Sequence, residues 1–308
     1  MALPDHLKQL AAKVSNAGRW GADDERGTLN LIDTAAVLRG VAAARQGRVF
    51  SLAIPFDEDG PQTGAVAGRE NPRRHMLAVN VPYTGDPSDF CVNDDAVTMG
   101  VQAATHWDAL SHVSYEGRLY NGIDAGVVNE RGAGRLGIET FGAVVSRGVL
   151  ADVARVHGVD HLDGGYPITG DDLEAATAGV GVAVEPGDVL VVRTGQMYLL
   201  RAGDRDGFTH PTPGLSSRSV EWLHDHDVAA VATDTLAFEV FPGEDPAVLL
   251  PVPLIHRVDM GLVQGQLWAL DELADDCARD GQHDFLLCAT PLPLTRSVGG
   301  PVAPTAVK

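Results

Sequence analysis

Two histidines and an aspartate lie close together near the middle of the chain. His106, Asp108 and His112 follow one another at spacings of two and four residues. In an extended strand, residues two apart point to the same face, so His106 and Asp108 can meet at one cation. Imidazole and carboxylate ligands suit Zn²⁺ or Mn²⁺, and an incomplete set of protein ligands leaves positions for water. The same spacing also fits an exposed edge strand that carries two histidines and an aspartate by chance. A motif alone is only a hypothesis.

The segments around this motif alternate between strand and helix patterns, which indicates an α/β protein with a mixed sheet. Helices are predicted at 5–17 and at 35–45, the second after an Asp33-Thr34 cap, with Ala35, Val37, Leu38 and Val41 buried. Strands are predicted at 50–55, 75–81, 97–104, 143–145, 189–193, 228–232 and 285–289. The strand at 97–104 would deliver the motif. A further helix is predicted to start at Thr169 or Asp171.

One segment has the composition of a functional loop. Residues 57–74 are rich in glycine, proline and charge, and they predict a mobile loop near the mouth of the site. No repeat or shift in composition divides the 308 residues. We therefore expect a single domain over 1–308, with an N-terminal helical segment at 1–48.

Composition excludes several classes of protein. The formal charge is −19 with no basic cluster, which argues against binding to nucleic acid or an anionic membrane surface. No apolar run is long enough to span a membrane, and the first residues lack a signal-peptide core, so we expect a cytoplasmic protein. Three scattered cysteines are too few for a disulfide framework.

The segment Gln102–His112 resembles the signature H-x-G-T-H-x-D-x-P-x-H of the metal-dependent cyclase family. This family includes bacterial kynurenine formamidases and isatin hydrolases, and the chain is most similar to its long bacterial branch. The further matches, in the expected order, are Arg19–Asn30, Tyr115–Gly122, Arg147–Leu150, Gly187–Gly195 and Asp234-Thr235. The resemblance implies the swivelling β/β/α fold, a mixed, barrel-like β core flanked by helices. It also implies a homo-oligomer, dimer or tetramer, with sites close to the subunit contacts.

The ligand positions depart from the family pattern at two places. The first histidine of the signature is Gln102 here, and the late acidic ligand corresponds to Gln266, with Gln264 as an alternative. Both changes remove charge or donor strength. We therefore expect one divalent ion, held by His106, Asp108 and the amide oxygen of Gln266. Such oxygen-rich ligation favours Mn²⁺, with Zn²⁺ as the alternative.

The resemblance and the residue chemistry give His112 the role of general base. Its imidazole would take the proton of a water and return it to the leaving nitrogen. The alternative is a hydrogen bond from His112 to a metal ligand. The residues predicted to contact substrate are Gln102, Trp107, Tyr115, Asn121, His256 and His210. Core packing is the alternative for the aromatic residues and for His256. His224, His226 and His283 are predicted to be exposed, and Asp234-Thr235 to hold a turn.

The resemblance, together with these residues, implies a metal-dependent hydrolase that opens an amide C–N bond in a small cyclic amide or an aryl formamide. Its rivals are an ester or lactone hydrolase and a dehydratase or cyclase with the same metal and base. A third rival is a binding protein on the same fold that has lost catalysis, which Gln102 and Gln266 would favour. A nucleophilic mechanism is disfavoured, because no serine lies in G-x-S-x-G and no cysteine lies beside a histidine.

Overall fold

A computed structural model describes residues 3–308 as a mixed α/β protein. The strands in this range are β1 (Val49–Ser51), β2 (Arg73–Pro82), β3 (Cys91–Thr98), β4 (His106–Asp108), β5 (Val128–Asn129), β6 (Gly132–Ala133), β7 (Val145–Asp152), β8 (Pro167–Ile168), β9 (Val189–Arg193), β10 (Gly214–Leu215), β11 (Ala230–Thr233), β12 (Val263–Gln266), β13 (Asp284–Cys288), β14 (Gly299–Pro301) and β15 (Thr305–Val307). The α-helices are α1 (Asp5–Lys13), α2 (Thr34–Ala43), α3 (Val153–Val156), α4 (Gly170–Thr177), α5 (Met197–Arg201), α6 (Arg205–Thr209), α7 (Val220–Asp225), α8 (Pro251–Leu254) and α9 (Asp271–Asp280).

Nine of the strands form one sheet that curls into a half-barrel flanked by helices, which confirms the fold expected from the resemblance. Its order is β1-β15-β13-β7-β9-β11-β12-β4-β14. The central strands β7, β9, β11 and β12 run parallel, and the remaining pairs are antiparallel. Parallel strands are normally covered on both faces. The position of β4 beside this buried centre places the motif inside the protein.

Side chains of the central strands alternate between two hydrophobic cores, one on each face of the sheet. In β9, Val189 and Val191 pack in the core that contains α9. The neighbouring Leu190 and Val192 pack on the opposite face, against α1, α4 and α7. These two layers fix the centre of the sheet, which in turn supports β12 and β4.

Two helices begin where the sequence predicts. The Asp33 side chain accepts a hydrogen bond from the Ala36 backbone N–H and caps α2. Thr169 caps α4 in a capping box with Asp172. These caps satisfy backbone N–H groups of the first turn that have no partner within the helix. Because the signal is local, the sequence predicts these starts.

The buried face of α2 differs from the prediction. Leu38 and Val41 are 60% and 53% exposed, whereas Ala36, Gly40 and Ala43 are buried. The cause is the close approach of α2 to β7: a Cβ on Gly40 would lie 2.7 Å from the carbonyl carbon of Ser146. Only small side chains fit at this contact.

The strand predicted at 97–104 is also wrong. Here β3 ends at Thr98, a turn follows, and the motif lies on the separate short strand β4. Strands β2 and β3 pair only with each other and form a two-stranded ribbon outside the main sheet. Most of the ribbon is exposed, including the large apolar residues Met76, Leu77, Val79, Val81, Tyr83, Phe90 and Val97.

One histidine outside the motif lies in surroundings that differ from the prediction. His283 was predicted to be exposed but is 6% exposed, because it directly precedes β13, and its carbonyl accepts a bond from Leu150 of β7. The three cysteines are free.

Across residues 3–308, no helix combines the length and apolar character needed to cross a bilayer.

Candidate active site

Strand β4 carries the site and is held from both sides. His106 pairs with Gln266 of β12 and with Pro301 of β14, and Asp108 pairs with Gln264 and Gly299. Strand alternation places His106 and Asp108 on one face, as the spacing predicts. Trp107 between them points to the opposite face.

His106 and Asp108 present two unpartnered atoms to each other. Nδ1 of His106 donates to the Ala104 carbonyl over 2.7 Å, so in the neutral ring Nε2 carries the lone pair. That Nε2 lies 3.5 Å from Oδ1 of Asp108, and within residues 3–308 both atoms are buried without a hydrogen-bond partner. Two lone pairs facing each other in a buried site require a cation or a proton between them.

The spacing of these atoms fits a metal ion. Two ligand atoms, each about 2.1 Å from one tetrahedral ion, lie about 3.4 Å apart. Among residues 3–308 no group of three or more His, Cys, Asp or Glu side chains is arranged to hold a metal. A metal at His106 and Asp108 would therefore need a further ligand of another kind, such as the amide oxygen of Gln266.

The other oxygen of Asp108 is satisfied from within the protein. Oδ2 accepts from Nη1 of Arg257 over 2.8 Å and from the amide of Gln266 over 3.2 Å. Burial opposes ionisation of the Asp108 carboxyl, but His112, Arg257 and His106 together outweigh it and hold its pKa well below the usual range. Asp108 is therefore an anion with one occupied and one free oxygen.

Arg257 belongs to a chain of buried hydrogen bonds. Its Nη1 also donates to Oε1 of Gln264 over 2.5 Å, and the amide nitrogen of Gln264 reaches Nδ1 of His256 over 2.8 Å. Because both ends of the Gln264 amide are engaged, Gln266 is the better placed of the two alternatives for a ligand. Burial lowers the pKa of His256 to about 3, so this histidine is neutral.

Arg257 was not among the predicted site residues, although it directly follows His256, which was. Both residues lie in a π-helical segment, Ile255–Met260, whose wide turn buries them side by side. Such segments are frequent at functional sites. The available signal was its position beside His256, but Asp108, the partner of Arg257, lies 149 residues away.

His112 lies at the edge of this cluster. Its Nε2 is 3.7 Å from Oδ1 of Asp108, and its Nδ1 is 3.4 Å from the amide nitrogen of Gln102. Burial lowers the pKa of His112 to about 4, against the opposing effect of Asp108. A neutral imidazole that is 23% exposed can accept a proton from a molecule in the adjoining pocket.

A pocket of about 650 Å³ opens beside these residues. Asp108, His112, Arg257 and Gln266 contribute its polar wall. The apolar wall includes Val66, Leu236, Phe241, Leu249, Pro253 and Leu254. His210 lines it as well and packs its ring against Phe241. An apolar pocket with a few converging polar groups is the usual form of a small-molecule site.

Gln102 and His256 adjoin the cluster without lining the pocket. Gln102 is buried and contacts His112. His256 is enclosed, with its ring edge-on to Phe238. Both residues are placed to orient their neighbours.

Three other predicted contact residues lie elsewhere. Trp107 is in the core, where its indole N–H donates to the Ala289 carbonyl and its ring packs on Trp268. The Tyr115 hydroxyl donates to Asp259, and burial together with that carboxylate raises the pKa of the phenol above its usual range. None of these side chains lines the pocket.

Asn121 joins two parts of the chain that carry family-like motifs. Its oxygen accepts from the Gly18 N–H, and its amide nitrogen donates to the carbonyls of Gly21 and Ala22. Asn121 is also in the left-handed backbone region, with φ of 61°, which asparagine tolerates better than most residues. Its place is structural.

Asp234 holds a turn, as the sequence predicts. Its carboxylate accepts from the backbone N–H groups of Thr194 and Gly195 and from the Thr194 hydroxyl. The bonds join the end of β9 to the end of β11. These bonds fix the turn at this end of the sheet.

Comparisons with known proteins agree with this architecture. A family model described as "Putative cyclase" matches residues 50–240. A solved structure of a novel cyclase is 37% identical, with 97% of this chain and 99% of the other covered and a TM-score of 0.87. A search of curated proteins found no match.

More distant solved structures share the fold. Isatin hydrolase A from Labrenzia aggregata, bound to benzyl benzoate, is 17% identical over 87% of this chain and 98% of its own, with a TM-score of 0.64. Isatin hydrolase A from Ralstonia solanacearum is 18% identical over 88% and 95%, with a TM-score of 0.62.

Proposed function

The chain belongs to the cyclase family, and on that premise we propose that it is a metal-dependent hydrolase. Its reaction would be cleavage of the amide C–N bond of a small cyclic amide or an aryl formamide. The observation that carries the proposal is the buried pair of unpartnered atoms, His106 Nε2 and Asp108 Oδ1, beside a pocket of small-molecule size. The fold shared with two isatin hydrolases agrees with it.

The ligands proposed for the ion are His106, Asp108 and the amide oxygen of Gln266. A divalent ion held there would polarise a substrate carbonyl and lower the pKa of a water molecule. Mn²⁺ is favoured over Zn²⁺, because carboxylate and amide oxygens outnumber the single imidazole. For the Gln266 oxygen to face the ion, its amide must rotate away from Asp108, to which its nitrogen now donates.

His112 acts as the base in this proposal. It takes the proton of the attacking water on Nε2 and returns it to the leaving nitrogen. For Nε2 to be free, Nδ1 must carry the ring proton, and Gln102 then presents its amide oxygen to Nδ1. The assignment of oxygen and nitrogen in an amide follows from such hydrogen bonds.

Arg257 and Gln264 hold Asp108 in place. The guanidinium engages Oδ2 and leaves Oδ1 directed at His106. Apolar side chains form much of the pocket wall, and such surroundings strengthen the interactions of these charges with a bound substrate.

Two alternatives use the same site. A lactone or ester would present the same carbonyl chemistry, and a cyclase or dehydratase would use the same base. The binding-protein alternative is favoured by one observation, the ion pair between Asp108 and Arg257, which already neutralises the carboxylate without any metal. Metal content separates this alternative from the enzyme.

The test combines metal content with turnover. Protein purified without chelator should contain close to one equivalent of Mn or Zn by elemental analysis. It should hydrolyse at least one member of a panel of cyclic imides, lactams, formamides and lactones. Asp108→Asn should lose the metal, whereas His112→Ala should keep it and lose about 10²–10⁴-fold in kcat.

Each outcome discriminates between the alternatives. If the protein contained no metal and hydrolysed no compound of the panel, the result would favour a binding protein over a hydrolase. Loss of metal in His112→Ala would make His112 a ligand and not the base. Full activity in that variant would place the base elsewhere.

A further inference from the structure

Arg69 differs from its neighbours on the segment 57–74. Residues 63–68 and Glu70 are exposed, whereas Arg69 is half-buried and lines the pocket. Within residues 3–308 its guanidinium has no hydrogen-bond acceptor and no carboxylate at ion-pair distance. Partial burial weakens the hydration of this cation, and no carboxylate among the described residues compensates for it.

The segment is built to hold Arg69 in this place. Asn71 closes the base of the loop: its oxygen accepts from the Gln62 N–H, and its nitrogen donates to the Gly60 and Gln62 carbonyls. The Gln62 side chain then anchors this base to the Ala103 carbonyl over 2.8 Å. Ala103 lies three residues before His106, so the loop is tied to the strand that carries the site.

A glycine makes room for the arginine side chain. A Cβ on Gly100 would lie 3.3 Å from Cγ of Arg69, which is tighter than most contacts of real side chains. The Gly100 N–H also donates to the Glu70 carbonyl. The aliphatic part of Arg69 therefore rests on the turn before β4.

The charges around the pocket do not balance. Asp108 and Arg257, which also line the pocket, form an ion pair with each other, so the positive charge of Arg69 has no counter-charge among the described lining residues. Burial lowers the pKa of Arg69, and the charge of Asp108 opposes that effect. The chain as a whole carries −19, so a local cation is needed to attract an anion into this pocket.

We propose that Arg69 binds an anionic group of the substrate, most simply a carboxylate carried on an apolar body. The apolar body would fill the space between Val66, Leu236 and Phe241, and the carboxylate would accept a bidentate pair of hydrogen bonds from the guanidinium. That the bound anion is part of a substrate rests on the proposed hydrolase function. Binding of an anion by Arg69 does not require that the protein turns over any compound.

The test measures binding of a small aromatic carboxylate. Phenylacetate is the probe and 2-phenylethanol is its neutral counterpart, both titrated by calorimetry into protein purified without chelator. Wild-type protein should bind phenylacetate more tightly than 2-phenylethanol. Arg69→Gln should bind phenylacetate about 10- to 100-fold more weakly, as expected for one charge-assisted contact, with 2-phenylethanol unchanged.

Arg73→Gln is the matched control. Arg73 lies four residues further on, is exposed and pairs with Glu70, and it does not line the pocket. The variant removes the same charge from the same part of the surface. It should bind phenylacetate like wild-type protein, which separates a specific contact from a general loss of positive charge.

Three results would overturn the proposal. One is equal binding of phenylacetate and 2-phenylethanol by wild-type protein. Another is unchanged phenylacetate binding in Arg69→Gln, and an equal loss in Arg73→Gln is the third. Absence of hydrolysis for every compound in the substrate panel would count against the hydrolase but would not alter these binding measurements.

Discussion

The charge of Asp108 is balanced by a residue of the protein itself. Arg257 is 2% exposed, and its guanidinium lies 2.8 Å from Oδ2. A buried pair of this kind contributes little net stability, but removal of one partner leaves an uncompensated charge. The charge of Arg257 therefore affects how strongly Asp108 attracts a second cation.

Arg257→Met should lower the free energy of unfolding by about 3–5 kcal/mol, because Asp108 then loses its partner. Added Mn²⁺ should recover part of this loss, since a bound divalent ion replaces the missing charge. Urea unfolding with and without Mn²⁺ measures both effects.

Arg147→Met provides the control for that measurement. Arg147 pairs with the buried Asp188 over 2.5 Å and lies outside the pocket. The variant should lose stability with no recovery on addition of Mn²⁺. Equal recovery in both variants would show that the metal acts elsewhere.

Sequence spacing predicts only those parts of the site that are local in the chain. His106 and Asp108 share a face because they are two residues apart on one strand. Arg257 escaped prediction because its role depends on a contact with Asp108, far away in the chain. Trp107 was predicted to contact substrate, but alternation along β4 directs it into the core. Trp268 and Ala289, which enclose Trp107, are distant in the chain, so the sequence does not reveal that its face is the core.

For helices and strands too, the sequence predicts features set by neighbouring residues, but not features set by contacts with distant parts of the chain. The starts of α2 and α4 follow from the side chains of Asp33 and Thr169, which bond within one turn. The buried face of α2 follows instead from the approach of β7, which excludes Leu38 and Val41 from the interior. The mobility of segment 57–74 stays a prediction.

The connection between β11 and α8 holds a buried acid with an unusual titration. Glu239 is 2% exposed, and its Oε2 accepts from the Val252 N–H at the start of α8. Burial raises the pKa of Glu239 from 4.5 to about 8. Between these values the folded protein binds more protons than the unfolded chain, so this group's contribution to stability falls as pH rises.

Glu239→Gln should remove this dependence and keep the bond to Val252, because the amide oxygen can accept it. Between about pH 6 and pH 8, wild-type protein should lose stability relative to the variant by up to about 1.4 kcal/mol per pH unit. Thermal or urea unfolding across this range measures the difference. The exposed Glu272→Gln is the control, and a parallel pH dependence in all three proteins would contradict the prediction.

At the scale of the whole molecule, the ribbon formed by β2 and β3 lacks a covering surface within the described residues. An isolated pair of strands is marginally stable in water, and large exposed apolar patches usually mark an interface. The ribbon exposes Leu77 by 69% and Val79 by 60%. We therefore expect a second copy of the chain to cover it, in a dimer or tetramer.

The double variant Leu77→Glu with Val79→Glu should dissociate the oligomer, because it places like charges on the interface of each copy. Light scattering after size-exclusion chromatography measures the mass. Val180→Glu, at an exposed position away from the ribbon, should leave the mass unchanged. A monomeric wild-type protein would refute the expected oligomer.

The place of β4 in the sheet also affects when, during folding, the protein becomes able to bind a metal ion. The strand lies between β12 and β14, and Asp108 meets Gln266 from 158 residues away. Contacts between such distant segments form late and slowly, because a long stretch of chain must first lose its freedom. The local turns and helix caps have no such requirement. During refolding, the ability to bind an ion at His106 and Asp108 should therefore arise after most helical structure has formed.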